Sequence, residues 1–141
     1  MPNETDTIVH EWFELVWNQG QSIEIDRLLE SDAMVHGLKD PVGNEIRGPA
    51  GFRPLHDAFR QAFPDIRVDV EHCIRDGDTY AFRCVVRGTH LGDGLGIAAT
   101  HRPVEFAGMG FVRVANGKIA EAWNTFDFNG LYEQIGLLPG R

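Results

Sequence analysis

From Ile66 to Asp127 the chain alternates long apolar-rich stretches with turn-forming residues, and this pattern restricts it to a fold dominated by sheet. Ile66 to Arg75 and Thr79 to His90 flank Asp76-Gly77-Asp78, while Pro103 to Ala115 and Lys118 to Asp127 flank Asn116-Gly117. Turn residues of this kind between strand-forming runs predict hairpins. A glycine-rich connection, LGDGLGIAATH, joins the two pairs, so this half reads as a meander of four long strands.

The first half reads differently. Residues 5–18 place Ile8, Val9, Trp12, Phe13, Val16 and Trp17 at helical spacing, with Asn3 or Thr5 available to cap the start and Gly20 to close the end. A second helix is predicted from Ser22 to Glu30, and a short strand, Ala33 to Leu38, carries His36. After the loop DPVGNEIRGP, a third helix runs from about Gly51 to Phe63 with Phe52, Leu55, Phe59, Ala62 and Phe63 on one face. Pro54 is tolerated only in a first turn, which places the helix start near it, and Pro64 ends it. A terminal helix is expected over Phe128 to Ile135. Helices, then strands, then a helix define an α+β chain, a curved antiparallel sheet with helices on one face. At 141 residues, with no repeat or linker, a single domain spanning 1–141 is expected, burying about two-thirds of its unfolded surface.

Charge removes two classes of partner. The formal net charge is −8, and single basic residues are dispersed, so phosphate-rich nucleic acid and anionic membrane surfaces are not expected ligands. No apolar run approaches the roughly 20 residues that span a bilayer, and the start, MPNETDT, is acidic, which points to a cytoplasmic protein. Cys73 and Cys84 lie on opposite arms of one predicted hairpin but are not direct partners, and read as small buried hydrophobes. The six histidines are dispersed with no HxH, HExxH or Cys/His cluster, so no metal site is expected.

Two strands are apolar on both faces. In Pro103 to Ala115, Val104, Phe106, Val112 and Val114 oppose Ala107, Met109 and Phe111. Helices cover one face only, so the other is expected to meet a second copy and form a homodimer through the sheet; scattered apolar surface is the alternative.

The candidate site centres on Asp127. Counted by alternation, its side chain leaves the last strand on the face of Ile119, Glu121, Trp123 and Thr125. An ionisable group beside an aromatic wall suits a general base. The same residue directly precedes Phe128, where it suits a helix N-cap.

The strings GDTYAFRCVVRGTHLG, AFPDI and VANGKIAEAWNTFDFNGLYEQIGL resemble the SnoaL-like polyketide cyclases, also called ester cyclases, of the NTF2-like α+β-cone superfamily. The resemblance covers roughly residues 30 to 138. It implies a cone with the N-terminal helices on the concave face of the sheet, and chemistry without metal or organic cofactor. In such cyclases a pocket Asp, matching Asp127 here, takes a proton from a carbon next to a carbonyl, and the carbanion closes a ring on a second carbonyl. Apolar walls raise a carboxylate's proton affinity. Trp123, Met109 and Phe111 are the expected pocket walls, with Phe59 and His36 as further ligand contacts. Where the family pairs its Asp with a His, this chain has Arg113; it would hold Asp127 ionised or stabilise an enolate oxygen. A type I turn plus bulge at Ala115-Asn116-Gly117 puts Arg113 and Asp127 on one face, and a two-residue turn does not. His90, in GTHLG, either donates to a substrate carbonyl or fixes the strand end.

Two functions follow as expectations. One is a cofactor-independent cyclase or isomerase with Asp127 as acid/base and His90 and Arg113 as polar partners, acting on an apolar, carbonyl-bearing polyketide-like or ester molecule. The other is a non-catalytic, dimeric binding protein in which Asp127 only caps a helix.

Overall fold

In the computed structural model, which describes residues 7–137, the strand-rich half forms a meander of four antiparallel strands. These are β3 (Arg67–Asp76), β4 (Thr79–Thr89), β5 (Pro103–Ala115) and β6 (Lys118–Phe126). Strand β1 (Leu29–Lys39) is longer than predicted and lies parallel to β6. Strand β2 (Glu45–Arg47), within the segment read as loop, pairs antiparallel with β1. The sheet order is β2-β1-β6-β5-β4-β3, antiparallel except at the β1–β6 seam.

Helices cover one face. Helix α1 (Ile8–Glu11) continues as a π-helical segment, Trp12–Asn18. Thr7 caps α1 by accepting the His10 N–H, whereas the predicted caps Asn3 and Thr5 lie outside the described residues. The wider spiral matters for packing. Residues five apart in an α-helix point about 140° apart. When hydrogen bonds reach five residues back, as from Gln19 N to Glu14 O (2.9 Å), they nearly superpose. Trp12 and Trp17 are both buried and both face the hollow of the sheet.

Helix α2 (Ile23–Leu28) leads into β1. Helix α3 (Gly48–Ala62) starts three residues before the predicted Gly51, so Pro54 lies inside it and Pro49 occupies its first turn. Helix α4 (Phe128–Gln134) closes the described fold. The concave core joins Phe13 to Phe82 edge-on (5.2 Å between ring centres), and Trp17 to Phe52, His56 and Phe59. Each such ring contributes about 1.5–3 kcal/mol through burial. Cys84 is buried in the same layer, and that burial pushes its thiol up to about 12.

Two irregularities set which side chains face inward. Asn116 and Gly117 both have positive φ (55° and 77°), a two-residue turn in which Ala115 pairs with Lys118. Val114 then pairs with Ile119 but Arg113 with Glu121, which leaves Ala120 as a bulge. Ile119 and Ala122 therefore point into the concave layer, and Glu121 and Trp123 point out. At Gly37, with φ 85°, β1 slips in the same way. Leu38 turns inward while His36 and Met34 face outward.

The outer face carries a band that crosses five strands, read along the register as His36, Trp123, Phe111, Ala81 and Ile74. Trp123, Phe111 and Ile74 are exposed there. On one side of the band the outer surface is polar, with ion pairs Arg83–Glu71 and Arg87–Glu105.

Candidate functional site

Between sheet and helices lies an apolar cavity that is partly open to solvent. Its empty volume, counted with the solvent at its opening, is about 800 Å³. Trp12, Phe13 and Trp17 form its helical wall, α3 contributes Phe52, Leu55 and Phe59, and the sheet contributes Phe82, Val86, Phe106, Val112 and Ala122. Phe126 and Phe128 close one end, their rings tilted against each other (5.9 Å) and both packed on Phe106. No lining side chain among the described residues ionises in the ordinary range of pH. Among the described residues, Asn124 is the one lining side chain able to accept a hydrogen bond, and the indoles of Trp12 and Trp17 can only donate.

A second hollow adjoins the cavity, sharing Leu38, Leu55, Phe59 and Phe128 with it. Its other walls are Gly37–Pro41, Asp93–Gly96 of the glycine-rich connection, and Tyr132. This hollow, unlike the cavity, carries ionisable side chains, among them Lys39, Asp40 and Asp93. Asp40 accepts backbone N–H groups from Asn44 (2.8 Å) and Val42 (3.0 Å), and these hold its carboxyl below the usual carboxylate range.

The predicted site residues separate into three places. Phe59 lines the cavity as expected. Trp123, Met109 and Phe111 do not: all three are exposed on the outer face, because the Ala120 bulge reverses the alternation on β6 and the helices cover the opposite face of β5. His36 also stands outside, its ring stacked on Trp123 (5.5 Å) and its Nε2–H donating to Glu121 (2.7 Å). Arg113 donates to the same carboxylate (3.3 Å). The His36 contact, then that of Arg113, holds Glu121 below the usual carboxylate range.

Asp127 is exposed, and its Oδ1 accepts the Gly130 N–H (2.9 Å), so it caps α4. It does not line the cavity, although its neighbours Phe126 and Phe128 both do. Arg113 pairs with Glu121, six residues from Asp127, about 20 Å along an extended strand. The two-residue Asn-Gly turn, not the bulged turn, joins β5 to β6. His90 is fully buried: the Thr100 backbone N–H donates to its Nδ1 (3.2 Å), which leaves the proton on Nε2, and Nε2 has no hydrogen-bond partner. The structure therefore brings His36, Trp123, Arg113 and Phe111 together on the outer face, and keeps Asp127, His90 and Arg113 apart.

Sequence reasoning missed Asn124. The available signal was a lone amide in an otherwise apolar row, Ala122-Asn124-Phe126, but alternation counted through Ala120 assigned that row to the wrong face. Among the described residues, no group of three or more His, Cys, Asp or Glu is placed to hold a metal ion, and no helix is long and apolar enough to cross a membrane.

A curved mixed sheet wrapped around an apolar hollow is the NTF2-like cone. The model of the SnoaL-like polyketide cyclases matches residues 7–135, and the chain belongs to that family. Among solved structures it is similar to IdmH of Streptomyces antibioticus, a candidate polyketide cyclase. The two are 27% identical with a TM-score of 0.78, over 96% of this chain and 99% of that one. It is also similar to AclR of Streptomyces galilaeus, a candidate hydroxylase, at 26% identity and a TM-score of 0.75, over 89% and 80% of the two chains. TsrD of Streptomyces laurentii superposes with a TM-score of 0.80 over 96% of both chains at 20% identity, a likeness of fold alone. No curated protein matches the sequence.

Proposed function

We propose that this chain takes a neutral, largely apolar small molecule into the cone. The observation that carries this reading is the cavity lined by aromatic and aliphatic side chains, with no ionisable group among the described residues that line it. Burying a charged or polar-rich guest there would strip its hydration without replacing it. Two tryptophans line the wall, so titration with naphthalene is read by their fluorescence. Saturable quenching in the wild type that disappears in Phe106→Trp, which fills the cavity from β5, is the expected result. Quenching that survives the filled cavity overturns the proposal.

A second reading, ring closure or isomerisation of a bound polyketide-like or ester molecule, draws on the family and on one position. Asp127 stands between two cavity-lining residues, Phe126 and Phe128. A carboxylate at that rim can remove an activated proton from a guest that reaches out of the cavity, and the carbanion then attacks a second carbonyl. In this reading Asp127 acts without His90 or Arg113, which hold a loop and an outer-face ion pair. Asp127→Asn keeps the helix cap. If Asp127 is the base, this variant should lose turnover by about 10²-fold or more at unchanged melting temperature; turnover equal to wild type removes Asp127 from the chemistry. AclR, of similar identity, carries a hydroxylase description, so family membership does not choose the reaction.

The occupant proposed for the outer band is a second copy of the chain. The polar groups at the β1 end of the band and beside it, His36, Glu121 and Arg113, already satisfy one another. What remains to be matched is apolar, and the same band on a second molecule matches it.

A further inference from the structure

Resting on the binding reading, we infer that Asn124 selects guests bearing a hydroxyl group. Its Nδ2 donates to the backbone oxygen of His36 (3.0 Å). That carbonyl belongs to the last β1 residue in register with β6, immediately before the slip at Gly37. A carbonyl oxygen only accepts, so the amide orientation is fixed by chemistry: NH₂ toward β1, with Oδ1 as the other arm. Among the described residues Oδ1 has no hydrogen-bond partner, nor is it sealed from a water-sized sphere as His56 Nδ1 and His90 Nε2 are.

The cavity thus carries one lone acceptor in an apolar wall. A hydrocarbon guest that displaces water from Oδ1 leaves it unpaired, which costs affinity. An ether or ketone has no proton to give it. An alcohol, enol or phenol donates to Oδ1, and its own oxygen can accept the second Nδ2 proton. A carboxylate finds no cation in the lining. The substrate class is therefore a mainly hydrocarbon or aromatic body with a hydroxyl group.

The test compares naphthalene, 1-naphthol and 1-methoxynaphthalene by calorimetry, on the wild type and on Asn124→Leu. Wild type should bind 1-naphthol about tenfold tighter than either of the others, the ratio that one net hydrogen bond supports. Asn124→Leu should bring all three within about twofold of one another, the naphthol losing most. Equal wild-type affinity for naphthol and its methyl ether overturns the inference while leaving the cavity reading standing, and this arm needs no variant. A naphthol preference that persists in Asn124→Leu overturns it equally. If none of the three binds the wild type, the binding reading itself falls.

Discussion

His56 shows how a single buried side chain makes stability depend on pH. Its Nε2–H donates to Val16 O (2.6 Å), while Nδ1 is buried with no hydrogen bond among the described residues and the exposed Asp57 carboxylate 3.8 Å away. Burial holds its pKa below the ordinary 6.5, chiefly because the charged ring would lose its hydration. The folded state therefore resists a proton that the unfolded chain accepts. Stability is complete above the unfolded value and falls as pH drops below it, until the folded ring also protonates. His56→Leu should flatten the decline in melting temperature between about pH 7 and about pH 5.5. At neutral pH it should cost about 1–3 kcal/mol, because Val16 O loses its donor. A slope identical to wild type would show that other groups carry the dependence. At Asp127 the two roles read from sequence separate: its carboxylate caps α4, and the catalytic role is tested by Asp127→Asn.

At the scale of elements, the strands were legible and their facing was not. Asn116-Gly117 and Asp76-Gly77-Asp78 punctuate the meander so strongly that all four strand starts fall within one residue of the expectation and β5 matches end to end. Alternation, however, propagates any error. One extra residue at Ala120 and one left-handed glycine at Gly37 exchange the inner and outer rows of β6 and of β1's end. That accounts for Trp123 and His36 standing outside and for the oversight of Asn124. Phe59 was legible because α3 keeps an unbroken helical period. The apolar stripe of the first helix was legible too, but no residue in it announces a π-helix. Gly37 is a testable hinge of this account. A Cβ there would overlap the carbonyl oxygen of Asn124, and its φ of 85° disfavours any other residue. Gly37→Ala should cost at least about 1–3 kcal/mol in chemical denaturation, by strain alone. A change below about 0.5 kcal/mol would mean that β1 and β6 can separate locally without penalty.

For the whole molecule, the two faces of one sheet divide the labour. The concave face builds a cavity, and the convex face carries an apolar band whose neighbours are already ion-paired. The proposed homodimer makes a direct prediction. Phe111→Glu, at the middle of the band, should shift the mass measured by light scattering from two chains to one at micromolar concentration. The fold should survive, because Phe111 is exposed in the isolated chain. A wild type that is monomeric at about 100 µM, well above typical dissociation constants for stable dimers, would overturn the pairing.

A wall that cannot change its charge has one consequence for measurement. The protonation state that governs loading belongs to the visitor. A weakly acidic phenol should be retained unchanged until the solution passes its own pKa, then released about tenfold per further pH unit, as its anion stays in water. Titrating a set of phenols of graded acidity against this chain should therefore give release midpoints that track the small molecules one for one. The protein would serve as a silent container whose acid–base curve is written by its contents.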